Sequence, residues 1–200
     1  MSYPKFVFAL PEWIDEFVSL QEQVYPTLDE RMQFVIALAR SNVQHGTGGP
    51  FGAAIFDLES HTLLAPGVNL VVSANSSMLH AEVVAITIAQ QIVQSYDLGM
   101  QGFPPYELIT STEPCAMCMG SIPWSGVRRL VCGARDEDAR RVGFDEGPKP
   151  ADWVHELTSR NIAVVRDVCR QDAVAVLNDY ARGGGVIYNA RQGEADTLAR

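Results

Sequence analysis

His80-Ala81-Glu82 and Pro114-Cys115-Ala116-Met117-Cys118 are the residues of this chain whose types and spacing could do chemistry. An imidazole and two thiols form a donor set of the kind zinc takes. Three protein ligands leave a fourth tetrahedral position open, and an open position marks a catalytic centre rather than a structural one. Zinc held in this way lowers the pKa of a bound water to roughly 7, so hydroxide is available at neutral pH. Glu82, two residues beyond His80, is a carboxylate with no ligand duty and is placed to carry protons.

Other uses of these residues are weaker. His-x-Glu alone is common, and Cys-x-x-Cys alone also suits a redox pair, but the redox use wants a thioredoxin-like context that this sequence lacks. A structural zinc module without turnover needs a fourth protein ligand. Cys132 is the nearest candidate, lies in a strand-like run with no motif around it, and leaves Glu82 without a role. His45, His61 and His155 have no partners at ligand spacing and read as surface residues.

The elements around the motifs explain how they would meet. Cys115 and Cys118 are three apart and share one helix face. Pro114 suits a first helical turn, where a missing N–H costs nothing. Exposed N–H groups and the helix dipole favour thiolates there. His80 and Glu82 open an Ala-rich run through Gln90 that reads as a buried helix, so two helix N-termini are expected to converge on one metal. Thr27 and Glu30 form a capping box at the start of an amphipathic helix through Met32, Val35, Ile36, Leu38 and Ala39, ending near Gln44-His45-Gly46. Strands are expected at 51–56 and 63–72, joined by a turn at 57–61 into a hairpin, and at 107–112, 127–132 and 162–168. Helices are expected at 153–159 and 171–180, and 135–141 reads as a solvated helical face. An opening hairpin followed by alternating helices and strands implies an α/β fold, a mixed sheet with helices on both faces. In such sheets ligands bind beyond the carboxyl ends of parallel strands, which is where both motifs fall.

With 200 residues the chain is expected to form one main domain. The net charge of −9 argues against a nucleic-acid partner, because phosphate binding requires a basic face, and the pairs Arg128-Arg129 and Arg140-Arg141 read as solvated surface. Two of four cysteines are taken by the metal motif; Cys132 and Cys169 read as buried, inert thiols, in keeping with a reducing, cytoplasmic compartment. The N-terminus is a poor signal peptide, and no apolar run is long enough to span a membrane. The triplet Gly183-Gly184-Gly185 reads as a flexible linker, or as a hinge that lets 186–189 close over a pocket, with Tyr188 as the lid residue. Phe51, Phe144, Trp124 and Tyr188 are aromatic candidates to sandwich a flat ring.

The two motifs in this order resemble the cytidine deaminase superfamily, which uses a His/Cys/Cys zinc and a non-ligating glutamate to deaminate bases. The segments 49–55, 67–69, 111–126 and 143–148 look like its bacterial guanine deaminase branch, and the resemblance spans 30–190. It implies a three-layer αβα sandwich on a five-stranded mixed sheet, a homodimer whose C-terminal segment is open to exchange between subunits, and hydrolytic release of ammonia from an aminated ring. The expected division is an N-terminal extension over 1–26, a catalytic domain over 27–182 and a tail or lid over 183–200. His80, Cys115 and Cys118 carry over as Zn2+ ligands and Glu82 as the proton shuttle. Asn69 carries over as substrate-binding, with Asp145 or Glu146 as a second pocket carboxylate; Glu146 is the one expected to share in catalysis, and Ala81, Phe51, Phe144 and Tyr188 are expected beside Asn69 and Asp145 in the substrate pocket. Guanine presents two adjacent donors, N1–H and the 2-amino group, which match a carboxylate, while the carboxamide of Asn69 offers a donor and an acceptor to other ring edges. Related rings remain open: ammeline and other aminotriazines, pterins, nucleosides such as cytidine or guanosine, and, against the charge, an adenosine in tRNA.

Overall fold

A computed structural model describes residues 3, 5–21 and 24–190; part of the expected N-terminal extension (1, 2, 4, 22 and 23) and tail positions 191–200 lie outside the described residues. The sheet has five strands: β1 (Gly52–Asp57), β2 (Leu63–Val68), β3 (Tyr106–Thr112), β4 (Arg129–Ala134) and β5 (Ala163–Val165). Their order is β2-β1-β3-β4-β5. β1 pairs antiparallel with both β2 and β3, whereas β3, β4 and β5 run parallel. The helices are α1 (Trp13–Ser19), α2 (Leu28–Gln44), α3 (Ala81–Val93), α4 (Ala116–Ser125), α5 (Asp136–Arg141), α6 (Trp153–Thr158) and α7 (Arg170–Arg182). None is long and apolar enough to cross a membrane.

Strand side chains alternate between faces, so each inner strand feeds two cores. Ala54, Phe56, Ile109 and Val131 join α2 and α7 in one core; Ala53, Ile55, Leu108, Leu130 and Cys132 join α3, α4 and α6 in the other. This is the expected αβα sandwich. Because both faces are covered, β3 is buried along its whole length. It even carries a fully buried charge, Glu107, held by Arg31 at 2.8 Å and Arg129 at 2.7 Å. Arg129 is therefore a half-buried partner of that carboxylate rather than free surface.

The capping box forms: Glu30 N–H donates to Thr27 Oγ1 at 3.2 Å, and Thr27 N–H donates to the Glu30 carboxylate at 2.8 Å. The turn at 57–61 forms on the Asp57 side chain, which accepts from Glu59 N–H and Ser60 N–H at 2.7 and 3.1 Å. Two strands are shorter than their apolar runs. β2 stops at Val68, since the chain turns at Asn69 and closes again where Leu70 N–H meets the Leu79 carbonyl at 2.9 Å. β5 stops at Val165, and the left-handed φ values of Asp167 (67°) and Cys169 (48°) turn the chain out of the sheet. Cys169 caps α7 and is only partly buried, so of the two non-motif cysteines Cys132 alone is the inert core thiol expected.

The segment before residue 27 carries α1, whose Ile14 is buried at 1% exposure and whose Phe17 packs on Phe34. The expected solvated face at 135–141 holds a buried side chain. Asp138 is 3% exposed and receives both arms of Arg170 at 2.8 and 3.0 Å.

Candidate active site

The antiparallel hairpin and the parallel β3–β4 pair bring the carboxyl ends of β2, β3 and β4 to one edge of the sheet, beside the start of β1. Asn69 leaves β2 there, Cys115 follows β3, and Phe51 precedes β1. Helix α3 begins at the same edge because Gly67 lets it press onto β2; a Cβ at Gly67 would lie 2.3 Å from the Ala81 carbonyl.

His80 and Cys115 are N-cap residues of α3 and α4 with extended backbone, and neither side chain caps its own helix. Both are free to turn outward. Pro114 accordingly precedes the cap instead of occupying the first turn. His80 Nδ1 lies 3.4 Å from Cys115 Sγ, and ligand atoms of His80, Cys115 and Cys118 all fall within 4.8 Å of one another. The protein groups alone show why a cation fits. Hydrogen bonding from Cys118 drives the Cys115 thiol down to about 4 against the opposing effect of burial, with help from His80. The same bond, burial and the charge of Glu82 push Cys118 well up. The cluster thus shares protons among ligand atoms, and a divalent ion takes their place. With one imidazole and two sulfurs, that ion is zinc.

Glu82, in the first turn of α3, is 6% exposed; burial and then the Cys115 charge raise its pKa. A cavity of about 330 Å³ opens before it, walled by Phe51, Asn69, His80, Cys115, Phe144, Glu146 and Tyr188. The two adjacent acids divide cleanly. Glu146 is 5% exposed, and burial followed by the charges of Cys115 and Glu82 lifts it to about 8. The Asp145 side chain is 66% exposed at the rim and spends its Oδ1 on Gly147 N–H at 2.9 Å. Asn69 is fully buried, and its Oδ1 faces the N–H groups of Val71 (3.3 Å) and Gly49 (3.4 Å). Its Nδ2 is buried at the cavity wall without a protein partner, while its Oδ1 is engaged by the backbone.

The tail reaches the cavity from the same chain. Tyr188 lies 5.3 Å from Phe144 and 6.3 Å from His80 between ring centroids, and its hydroxyl, also without a partner, is buried against Gly49. Tyr180 donates to the Val186 carbonyl at 2.8 Å, and Asn189 bridges the Gly143 carbonyl and the Asp145 N–H at 2.8 and 2.9 Å. Trp124, by contrast, is 84% exposed on α4 and is not in the wall, and Ala81 is fully buried behind it. Val71 and Ser77 join the wall without any signal in residue type or motif to announce them, whereas Met117 comes from the cysteine motif and Asn189 from the expected lid. Glu113 also reaches it, but its carboxylate is held by Asp136 N–H at 3.1 Å and Arg166 Nε at 2.6 Å.

A His/Cys/Cys cluster at two helix N-termini, with a buried carboxylate facing a cavity at the edge of a mixed αβα sheet, defines a zinc-dependent hydrolytic deaminase. The chain belongs to the family of the cytidine and deoxycytidylate deaminase zinc-binding region, which matches residues 26–134. The guanine deaminase of Bacillus subtilis is 38% identical over 111 residues, 56% of this chain and 67% of that protein. The solved structure of guanine deaminase from Nitrosomonas europaea superposes with a TM-score of 0.85 at 39% identity, covering 91% of this chain and 99% of that one. A further structure, of a protein bound to 2,6-diaminopurine, gives 0.85 at 43% identity over 92% and 96% of the two chains. A tRNA-specific adenosine deaminase of Rickettsia bellii is 36% identical over 87 residues, 44% of this chain and 57% of that protein.

Proposed function

We propose that this protein is a guanine aminohydrolase, converting guanine and water to xanthine and ammonia. The carrying observation is the pair of buried groups in the cavity wall: Glu146, a carboxyl whose oxygens both accept once its proton has been passed on, and Asn69, an amide whose NH2 group is left without a protein partner. Guanine answers both, with N1–H and the 2-amino group toward Glu146 and a ring acceptor toward Asn69. Adenine and cytosine lack the paired donor edge. The similarity to guanine deaminases from two bacteria supports this reading.

Bound zinc supplies the Lewis acidity that brings water to the attacking state at neutral pH. Glu82 takes the proton released in that attack and returns it to a ring nitrogen, a role suited to a carboxyl whose pKa is raised by burial. The departing amine needs a second proton, which the raised carboxyl of Glu146 is able to hold and release. Phe51, Phe144 and Tyr188 exclude solvent and confine the flat ring. The same proposal includes a second copy of the chain as partner, over the exposed apolar side chains of Trp124, Tyr96, Ile92 and Met100, and a cytoplasmic location. Ammonia release measured on guanine, guanosine, cytidine, adenine and ammeline tests the substrate. Guanine at least tenfold ahead in kcat/KM is the expected result; a lead for ammeline or a nucleoside replaces guanine as the substrate.

A further inference from the structure

We propose that Asn42 is a positioning residue for the Asn69 donor, and that the relay Trp13–Thr47–Asn42 couples helix α1 to the substrate cavity. The proposal rests on Asn69 being the substrate donor. The orientation of its amide depends on Gly49 N–H and Val71 N–H, at 3.4 and 3.3 Å, and therefore on where the backbone lies at 49 and 69. One side chain fixes both places. Asn42 Nδ2 donates to the carbonyls of Gly49 and Asn69, each at 2.9 Å. Asn42 is fully buried on α2, where an amide is stable only with its partners in place.

The rest of the relay is equally complete. The Thr47 hydroxyl donates to Asn42 Oδ1 at 2.7 Å and accepts from Trp13 Nε1 at 3.1 Å. The Trp13 ring stacks on His45, with centroids 4.9 Å apart and 8° between planes, and thereby pins α1 to the end of α2. The loop between them passes hard against its target, since a Cβ at Gly48 would fall 1.8 Å from the Asn69 carbonyl. Trp13 lies outside the stretch 26–134 that matches the family, so that stretch alone does not contain the outer end of the relay. A displaced donor weakens hold on the ring before it alters bond making, so the loss belongs in KM.

The test pairs kinetics with a substrate-free readout on zinc-loaded protein. Asn42→Ala is expected to lower kcat/KM for guanine roughly 10-fold or more, and Thr47→Val roughly 3-fold, chiefly through KM, with zinc content unchanged and Thr47→Ser restoring the value. In an Asn69→Ala background neither change should cost anything further. The 15N side-chain amide resonance of Asn69, recorded without ligand, should move in Thr47→Val and return in Thr47→Ser. If Asn42→Ala does not fold, the Thr47 pair carries the test. Equal losses with and without Asn69, or an Asn69 resonance unmoved by Thr47→Val, would overturn the relay. A wild-type protein that ignores guanine would overturn the substrate and leave the resonance test standing.

Discussion

The carbonyl of Glu146 accepts the backbone N–H of Ala116 at 2.9 Å. This bond satisfies one of the free donors in the first turn of α4, the turn that also presents Cys118. The loop bearing the second cavity carboxylate is therefore fastened to the helix bearing a metal ligand. Asn189 fastens the same loop to the tail. Metal helix, carboxylate loop and tail form one connected wall, and a change in any of them is felt by the other two.

Glu146→Gln separates what this carboxyl does for binding from what it costs in stability. The folded protein holds the Glu146 proton up to about 8, whereas 4.5 is the ordinary value. Between these limits the folded state binds more protons than the unfolded state, so this group makes stability fall as pH rises, and the fall levels off above about 8. Burial is the largest cause of the shift, ahead of the charges of Cys115 and Glu82. The variant lacks that slope. Its stability should exceed the wild-type value by a margin that widens from pH 5 to pH 8, on the order of a few kcal/mol at the upper end, and its melting temperature should rise in step. Its kcat/KM for guanine should fall about 10³-fold or more, since a buried acceptor for the donor edge is gone. Identical pH profiles of melting would contradict the assignment.

Glu82→Gln keeps the shape of the α3 N-terminus and removes the proton carrier. Zinc content measured by atomic emission should match wild type, while kcat drops about 10²–10⁴-fold. Cys118→Ser should instead lose zinc. Chelator treatment should abolish turnover, and added Zn2+ should restore it in wild type and leave Glu82→Gln inactive. Normal turnover by Glu82→Gln would remove the central role given to that carboxylate.

The chemistry was more legible in the sequence than the outline of its pocket. His80, Cys115, Cys118 and Glu82 declare themselves because a metal demands particular atoms at particular spacings. The Thr27–Glu30 box and the strand before Pro114 declare themselves because caps and buried strands have strong local patterns. The cavity wall is tertiary. Val71 and Ser77 reach it only because the chain folds back between Leu70 and Leu79, and Asn189 only because the tail returns. Trp124 carried the composition of a stacking residue, yet α4 points it away from the cavity at 84% exposure. Asp138 sat in a run of charges that looked solvated, and only the approach of Arg170 from α7 makes it an interior group.

That Asp138–Arg170 contact sets an acid limit. Burial would raise the Asp138 pKa, but the hydrogen bonds from Arg170 and from Arg135 N–H outweigh it and lower the pKa overall. A depressed carboxylate contributes stability above its unfolded pKa, about 3.9, and loses it as pH falls through the folded value. Asp138→Asn should cost about 1–3 kcal/mol in urea unfolding at pH 7, and progressively less as pH falls below about 3.9. An equal cost across that range would show that shape, not charge, matters at this position.

The exposed side chains near the end of α4 make the last test. Trp124 and Tyr96 are 84% and 83% exposed, with Ile92 and Met100 also open. They belong to one region, because Leu98 N–H bonds to the Ser125 carbonyl at 2.9 Å and ties the loop after α3 to the end of α4. Apolar side chains left open together are the surface over which we propose that a second copy of the chain docks. Light scattering should give twice the 21.9 kDa of one chain. Trp124→Glu places a charge in the centre of the contact and should yield a monomer that retains zinc, because Trp124 touches neither metal nor cavity. A wild-type mass of one chain, or a dimer unaffected by Trp124→Glu and by a paired Tyr96→Glu, would assign those side chains to a different partner.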